Sequence, residues 1–466
     1  MKIVISPMTR SIGPGQLEVT VEGGQVVDAR CCGTFFRGFE LIMRGRDPRD
    51  APYLTQRICG ICCASHAVAA AEALDDLAGI QPTPDGQLVR NLLLGVVTLQ
   101  NQIRHFYFLG LPDWVQGPDM HPFKPQYTKD LRLPRALNSR LVEHYFGAGD
   151  VTRVINEMEV ILGGKVPHQH GIIGGGATVI PRPDIILDLR SKLQRVNRFI
   201  SEKYLPDAHA LAEHYPDYFE IGRRPENMMT YGMFPRTPGT RDYRFPGAAV
   251  IEGRIEEVDV REISESVRHS FFSDQPENGW KALSDTKPDP GRKGAYSWVK
   301  APRYRGRAVE TGPLVRLWVS GRYRRGVSTM DRILARAIEA EIIGGLMQEW
   351  LEQLEPGQPV YRRYELPEEG EGLGISGVPR GGLLHRVRVR GGRIDRYQVI
   401  TPSAWHFSPR DGEGRPGPIE EALLGTPVAN PKQPVEIGRV VRAFDPCMAC
   451  ATHLLTPGGN VQRFII

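Results

Sequence analysis

The stretch RICGICCASH, residues 57–66, sets Cys59 and Cys62 in a Cys-x-x-Cys step, and DPCMACATH, residues 445–453, repeats the step with Cys447 and Cys450. Such a step lets two thiolates turn toward one ion, because the intervening backbone closes a tight loop. Each pair is followed by a histidine, His66 and His453. Two pairs make a four-thiolate site, and because 388 positions separate Cys59 from Cys447 that site ties the two ends of the chain together. Spacing alone leaves the chemistry open between a structural zinc, paired redox disulfides and coincidence.

Outward from the motifs, LEVTVEGGQVVDARCC (17–32) alternates apolar and polar residues around Gly23-Gly24, a hairpin signal, and LLHRVRVRGGRIDRYQVI (383–400) repeats it around Gly391-Gly392. Between them, apolar residues at helical spacing predict helices over Ser65–Leu77, Gln87–Leu109, Arg140–Leu162, Pro183–Tyr204 and Thr329–Leu354. From about Tyr231 to Ser328 the pattern breaks into short strand-like, Pro/Gly-rich pieces. The expected fold class is α+β and mainly helical, a central bundle of long helices with peripheral β-hairpins and small sheets. No linker or repeat divides the chain. It reads as one unit: an N-terminal hairpin region (1–56), a helical core with the first cysteine motif (57–230), a mixed β insertion (231–328), and a helix, hairpin and second cysteine motif (329–453).

Composition sets limits. Among 466 residues, 59 Lys and Arg against 54 Asp and Glu leave a net charge of +5, too small and dispersed for nucleic-acid binding. With 41% hydrophobic and 24% charged residues and only short apolar runs, no spanning helix is expected. The start, MKIVISPMTRSIGPG, lacks an apolar segment of signal-peptide length, so the chain is expected to stay in the cytoplasm or to leave with a partner. The 7 cysteines are odd in number and clustered, which favours a reducing compartment or a metal site over a disulfide framework.

The residues flanking the cysteines narrow the reading. RICGICCASH and DPCMACATH resemble the two signatures of the large subunit of nickel-iron hydrogenases, RxCGxCxxxH and DPCxxCxxH. FRGFELIMRGRDPRDAPY (36–53), NEMEVILGGKVPH (156–168), YSWVKAPRYRG (296–306), VPRGGLLH (378–385) and YQVITPSAWHFSPRD (397–411) fall in that family's order along essentially the whole chain. The resemblance implies reversible heterolytic cleavage of H2 at a Ni-Fe(CN)2(CO) centre, with Cys59 and Cys447 as terminal nickel ligands and Cys62 and Cys450 bridging to iron. Soft thiolates suit both metals. His66 resembles the family's histidine near a bridging sulfur. Arg380 matches the arginine over the open site, beside Asp445, where a guanidinium in a dry pocket stabilises charge separation. Pro379 and Ser403 resemble residues lining the cyanide and carbonyl pocket. Glu40, the Val399 carbonyl and His453 resemble the ligands of a second metal, Mg2+ or sometimes iron.

The same resemblance implies an iron-sulfur small subunit as partner, since Cys31, Cys32 and Cys63 alone cannot hold a cluster that needs four thiolates. It also implies nickel-loading factors and a maturation endopeptidase that removes residues 454–466 after His453. Two departures stand out. Near the start the family usually has Arg-Ile-Glu-Gly-His, whose glutamate takes the proton from a terminal thiolate; here TRSIGPGQLEV (9–19) puts Ile12 or Gly13 there. In the helix before HFY, where the family commonly has an aspartate, this chain has Asn101. Two rivals follow: a slow, H2-sensing regulatory subunit, which the missing glutamate favours and the tail opposes, and a cluster-free relative in a respiratory complex, which the four cysteines oppose. Gly372-x-Gly374-x-x-Gly377 fits a dinucleotide fingerprint by letter only, because it precedes VPRGG and no helix. His105, His168 and His170 read as core or hydrogen-bonding residues, and Cys31, Cys32 and Cys63 as buried small side chains.

Overall fold

The computed structural model describes residues 1–124, 126, 130–273 and 286–451; His453 and the 454–466 tail, on which two of the expectations fall, lie outside the described residues. Strands β1 (Lys2–Ile5), β2 (Gly15–Glu22) and β3 (Gln25–Gly33) form an antiparallel sheet in that order. The β2–β3 turn falls at Gly23 and Gly24, with φ of 56° and 78°, as a type I′ turn requires at both positions.

Helices form where the apolar spacing places them: α1 (Cys63–Ala78), α2 (Pro84–Arg104), α3 (Arg135–Gly163) and α4 (Pro183–Phe199). Thr83 caps α2 by accepting the Gly86 N–H, and Gly79 and Gly164 end α1 and α3 in the left-handed conformation. The predicted Gln87–Leu109 and Pro183–Tyr204 helices run on into wider turns of π geometry, His105–Gly110 and Ile200–Tyr204. Pro112 and Pro206, which lack the N–H that would continue the α ladder, follow each turn.

In the expected β insertion, β4 (Met228–Pro235) pairs antiparallel with β5 (Tyr243–Ile251). The insertion also contains a helix, α5 (Pro313–Val319), before α6 (Thr329–Gln353) starts at a capping box of Ser328 and Asp331. The sequence does not announce α5: PLVRLWV is seven residues long and apolar except for Arg316, so it carries no period by which helix and strand could be told apart. Strands β6 (Gly370–Val378), β7 (Gly381–Arg390) and β8 (Arg393–Ile400) make a second sheet that turns at Gly391 and Gly392 as expected. Helices α7 (Pro418–Leu423) and α8 (Val435–Ala443) precede the second cysteine motif.

The described residues therefore mix helices with small antiparallel sheets. α2 packs against α3 and α6, and α6 against α4. The β6–β8 sheet lies on α1 through Ala70, Ala73, Leu77, Val387 and Ile394, whereas the N-terminal sheet packs on α7 and α8 through Ile3, Leu17, Val19, Ala422 and Val441. Ile12 bridges to Cys447, its N–H on the Pro446 carbonyl at 3.3 Å and its own carbonyl accepting the Ala449 N–H at 3.0 Å. The two ends of the chain thus meet. No helix among the described residues is long and apolar enough to cross a membrane.

Candidate metal centre

Cys59 ends a single helical turn in extended backbone, and Cys62 starts α1. The loop between them turns its amides inward: the N–H groups of Ile61 and Cys62 donate to Cys59 Sγ at 3.3 and 3.4 Å. On the other motif, Asp445 takes a left-handed φ of 53° before Pro446, and the Cys447 N–H donates to Ser403 Oγ at 2.8 Å. Arg37 stitches the motifs together by donating to the carbonyls of Ile58 and Ala449.

The result is a cluster of Cys59, Cys62, Cys447 and Cys450, all buried and free, whose sulfurs lie within 4.8 Å of one another. The pairs cross between the motifs: Cys59 to Cys447 at 3.4 Å and Cys62 to Cys450 at 3.5 Å, with Cys447 to Cys450 at 2.9 Å. Four buried thiols this close cannot all ionise without a cation. Hydrogen bonds from Cys447, Cys450 and Cys62 pull the Cys59 thiol well below its ordinary value, while burial pushes that of Cys450 up. The donor set therefore suits a soft metal that binds thiolates and displaces their protons.

Arg380 sits at the tip of the β6–β7 turn, buried, with Nε 3.0 Å from Asp445 Oδ2 and 3.1 Å from the Asp445 carbonyl. Burial alone would lower its pKa, but Asp445 and the sulfurs of Cys447, Cys62 and Cys59 outweigh it and hold the guanidinium charged. Its Nη1 is buried and makes no hydrogen bond to the described residues. Pro379 precedes it in the same turn. Asn101 donates to the Ile61 carbonyl at 3.2 Å and to Val97 at 2.7 Å, so it braces the first cysteine loop. Ile12 and Gly13 lie against the second motif, and a Cβ on Gly13 would come within 2.8 Å of the Ala449 nitrogen. Among the described residues, Ile12 and Gly13 stand where this flank could have carried an acid.

His66 is buried, and its Nδ1 lies 3.1 Å from Nε2 of His385, whose Nδ1 lies 2.9 Å from the Tyr397 hydroxyl. Burial pushes His66 down to about 4 and His385 well below its ordinary range, so both rings are neutral. Glu40 stands apart from the sulfurs. Its carboxylate accepts the Val399 N–H at 2.9 Å and the Thr286 hydroxyl, and lies 3.4 Å from Lys300 Nζ, which is 3.7 Å from Glu265. These groups line a cavity of about 50 Å³ that extends to Cys450. His385, Tyr397, Arg37 and Lys300 fall inside the quoted family blocks and Glu265 outside them, but none carries a spacing that picks it out from its neighbours.

His105 is buried with Nε2 2.6 Å from the Arg442 carbonyl, His168 is half-buried and His170 exposed. Cys31 and Cys32 are buried in β3, and the Cys63 thiol donates to Glu159 at 3.6 Å.

Fold and site together define a metalloprotein built around a buried four-cysteine centre that joins the two ends of one chain. The sequence profile of the family described as nickel-dependent hydrogenase matches residues 37–119, 115–326 and 321–453. The periplasmic [NiFeSe] hydrogenase large subunit of Desulfomicrobium baculatum is 38% identical over 98% of this chain and 95% of its own length. The hydrogenase-1 large chain of Escherichia coli (strain K12) is 31% identical over 98% and 96%. Among solved structures, a reduced, active form of the Ni-Fe-Se hydrogenase from Desulfomicrobium baculatum superposes with a TM-score of 0.94 at 39% identity, covering 97% of this chain and 100% of that one. The chain belongs to the nickel-dependent hydrogenase family.

Proposed function

We propose that the chain is the catalytic large subunit of a nickel-iron hydrogenase, which cleaves H2 reversibly into two protons and two electrons and passes the electrons to an iron-sulfur small subunit. The observation that carries this reading is the gathering of four buried thiolates, two from each end of the chain, beside the Arg380 guanidinium. In this reading Cys59 and Cys447 would hold nickel alone, and Cys62 and Cys450 would hold nickel together with the iron of a Ni-Fe(CN)2(CO) centre. When bound, that centre would supply the Lewis acidity that polarises H2 and the redox capacity for its two electrons, both hydrogens leaving as protons.

The side chains supply the rest. The Cys447 sulfur takes the proton released as the H–H bond breaks. Arg380 stabilises the separating charges through a cation that stays put, because its pKa is too high for it to serve as a resting base. Asp445 fixes the direction of that guanidinium. Ser403 accepts the Cys447 amide, which holds the backbone while leaving its own O–H to donate into the pocket. Pro379 lines the same pocket.

Glu40, the Val399 carbonyl and His453 are assigned a second metal, magnesium or iron. Glu40 and Glu265 against the single cation of Lys300 leave one negative charge uncompensated, which suits an oxygen-ligated cation. Endopeptidase cleavage after His453 and nickel loading by dedicated factors belong to the same reading, in the cytoplasm or before export with the small subunit. An H2-sensing subunit of low turnover is the second reading, and the replacement of the family's N-terminal glutamate by Ile12 or Gly13 against Cys447 favours it.

The test is H2-dependent dye reduction by the purified heterodimer, with metal analysis. Nickel and turnover on the order of 10 to 10³ s⁻¹ are expected, with activity abolished in Cys447→Ser and most turnover lost in Arg380→Lys at unchanged nickel content. Rates far below that range point to the sensor, and zinc in place of nickel overturns both.

A further inference from the structure

Val378 and Gly381 pair across β6 and β7, which makes Pro379 and Arg380 a two-residue hairpin loop. Loops of that length favour turns whose central residues have positive φ, because only these match the twist of the strands. The Pro379 ring forbids it, and Arg380 is not among the residues of positive φ. The turn therefore has the hand that splays its strands. It needs support from outside.

Arg316 of α5 provides that support. Its Nη1 donates to the Val378 carbonyl at 3.0 Å and its Nη2 to the Pro379 carbonyl at 3.4 Å. Glu339 of α6 grips the same guanidinium, with Nε to Oε1 at 2.6 Å and Nη2 to Oε2 at 3.0 Å, and accepts Gln102 Nε2 at 2.9 Å. Both side chains are 0% exposed. On the other face of the turn, Gly312 lies where a Cβ would come within 3.0 Å of the Arg380 carbonyl oxygen, and Gly381, at φ 145°, lies against Thr311.

A fully desolvated ion pair is a poor way to glue helices, since apolar residues of the same volume do it as well or better. Its merit is directional. A planar guanidinium held on one edge by a carboxylate presents its remaining N–H groups in a fixed fork. Here the fork ends on the two carbonyls immediately before Arg380.

We propose that Arg316 and Glu339 are a positioning pair that sets the β6–β7 turn, and through it keeps the Arg380 guanidinium on Asp445 and facing the cysteines. The inference rests on the role assigned to Arg380 above. The pair touches no reacting atom and acts only through the turn.

The test is a cycle in the heterodimer: Arg316→Met with Glu339→Met, and separately Arg316→Lys, each in the parent and in an Arg380→Lys background. The double change removes both charges together, so nickel content and a cooperative melt should persist. Turnover in the parent should nevertheless fall about 10- to 100-fold at little-changed KM for H2, as for a catalytic group misplaced by a fraction of an ångström. The nickel paramagnetic resonance g values should move. In the Arg380→Lys background the same change should cost no more than about twofold, because nothing is left to position.

Arg316→Lys keeps the charge opposite Glu339 but cannot span both carbonyls. It should give a smaller loss that also vanishes beside Arg380→Lys, and it serves if the double variant does not fold. Losses that multiply in both backgrounds, nickel loss in both variants, or parental turnover in the double variant overturn the proposal. If Arg380→Lys alone retains full turnover, the assignment of Arg380 falls and the pair's role with it. If Arg380→Lys is impaired and the pair variants are not, only the pair's role falls.

Discussion

Glu159 shows how burial writes chemistry into a single side chain. It lies in α3 with, among the described residues, the Cys63 thiol donating to it and Arg104 as nearby countercharge, and burial raises its pKa to about 7. A carboxyl whose folded pKa lies above its unfolded value favours the folded state fully below the unfolded pKa, and loses that contribution as pH rises through the folded one. Between about pH 4.5 and 7 the parent should therefore lose stability, by an amount that Glu159→Gln removes. Melting of the two proteins should coincide near pH 4, with Glu159→Gln the more stable at pH 8; the reverse order would mean that the ionised form is the one the fold prefers. Residues of this kind were not legible in the sequence. Cys59, Cys62, Cys447, Cys450, Arg380, Asp445 and Ser403 could be read because each stands inside a short contiguous signature. Glu159, His385, Tyr397 and Lys300 stand inside such blocks too, but they and Arg316 acquire their roles from neighbours on other elements, and a linear string carries no trace of that.

Among the elements, β6 depends most on having no side chains. A Cβ on Gly372 or Gly374 would collide with the carbonyl oxygens of Ala73 and Ala69, so these glycines let the strand rest directly on α1. The glycine spacing that mimics a dinucleotide fingerprint is thus a packing device, in which the first cysteine helix and the arginine-bearing sheet share one surface. Gly374→Ala should push the strand off the helix at a cost of about 1–3 kcal/mol. The check is a lower melting temperature accompanied by lower turnover; a lower melting temperature with turnover intact would show that helix and strand need not be in register for catalysis. Hairpins and long helices were readable at this scale, because their periods run for many residues. α5 and the two π turns were not: the first is too short to show a period, and the others follow from a proline several residues downstream.

Across the whole molecule, the expectation that the two ends converge rested on two four-residue motifs, and the structure brings their sulfurs within 4.8 Å. What the motifs could not announce is how the ends are bound: a β-bridge from Ile12 to Cys447, the Ser403 hydroxyl on the Cys447 amide, and Arg37 across both cysteine loops. The bridge also seals one side of Cys447 with an aliphatic wall. A deuteron released from D2 against that wall meets no carboxylate on the Ile12–Gly13 flank among the described residues, Asp445 being held by Arg380, and lingers where it can rejoin its twin. In ordinary water, mass spectrometry of the headspace should therefore show scrambling of D2 into HD and H2 lagging well behind dye bleaching. Isotope exchange that keeps pace with bleaching would reveal a fast escape by another route, past Arg380 and Asp445 rather than past the chain's own beginning.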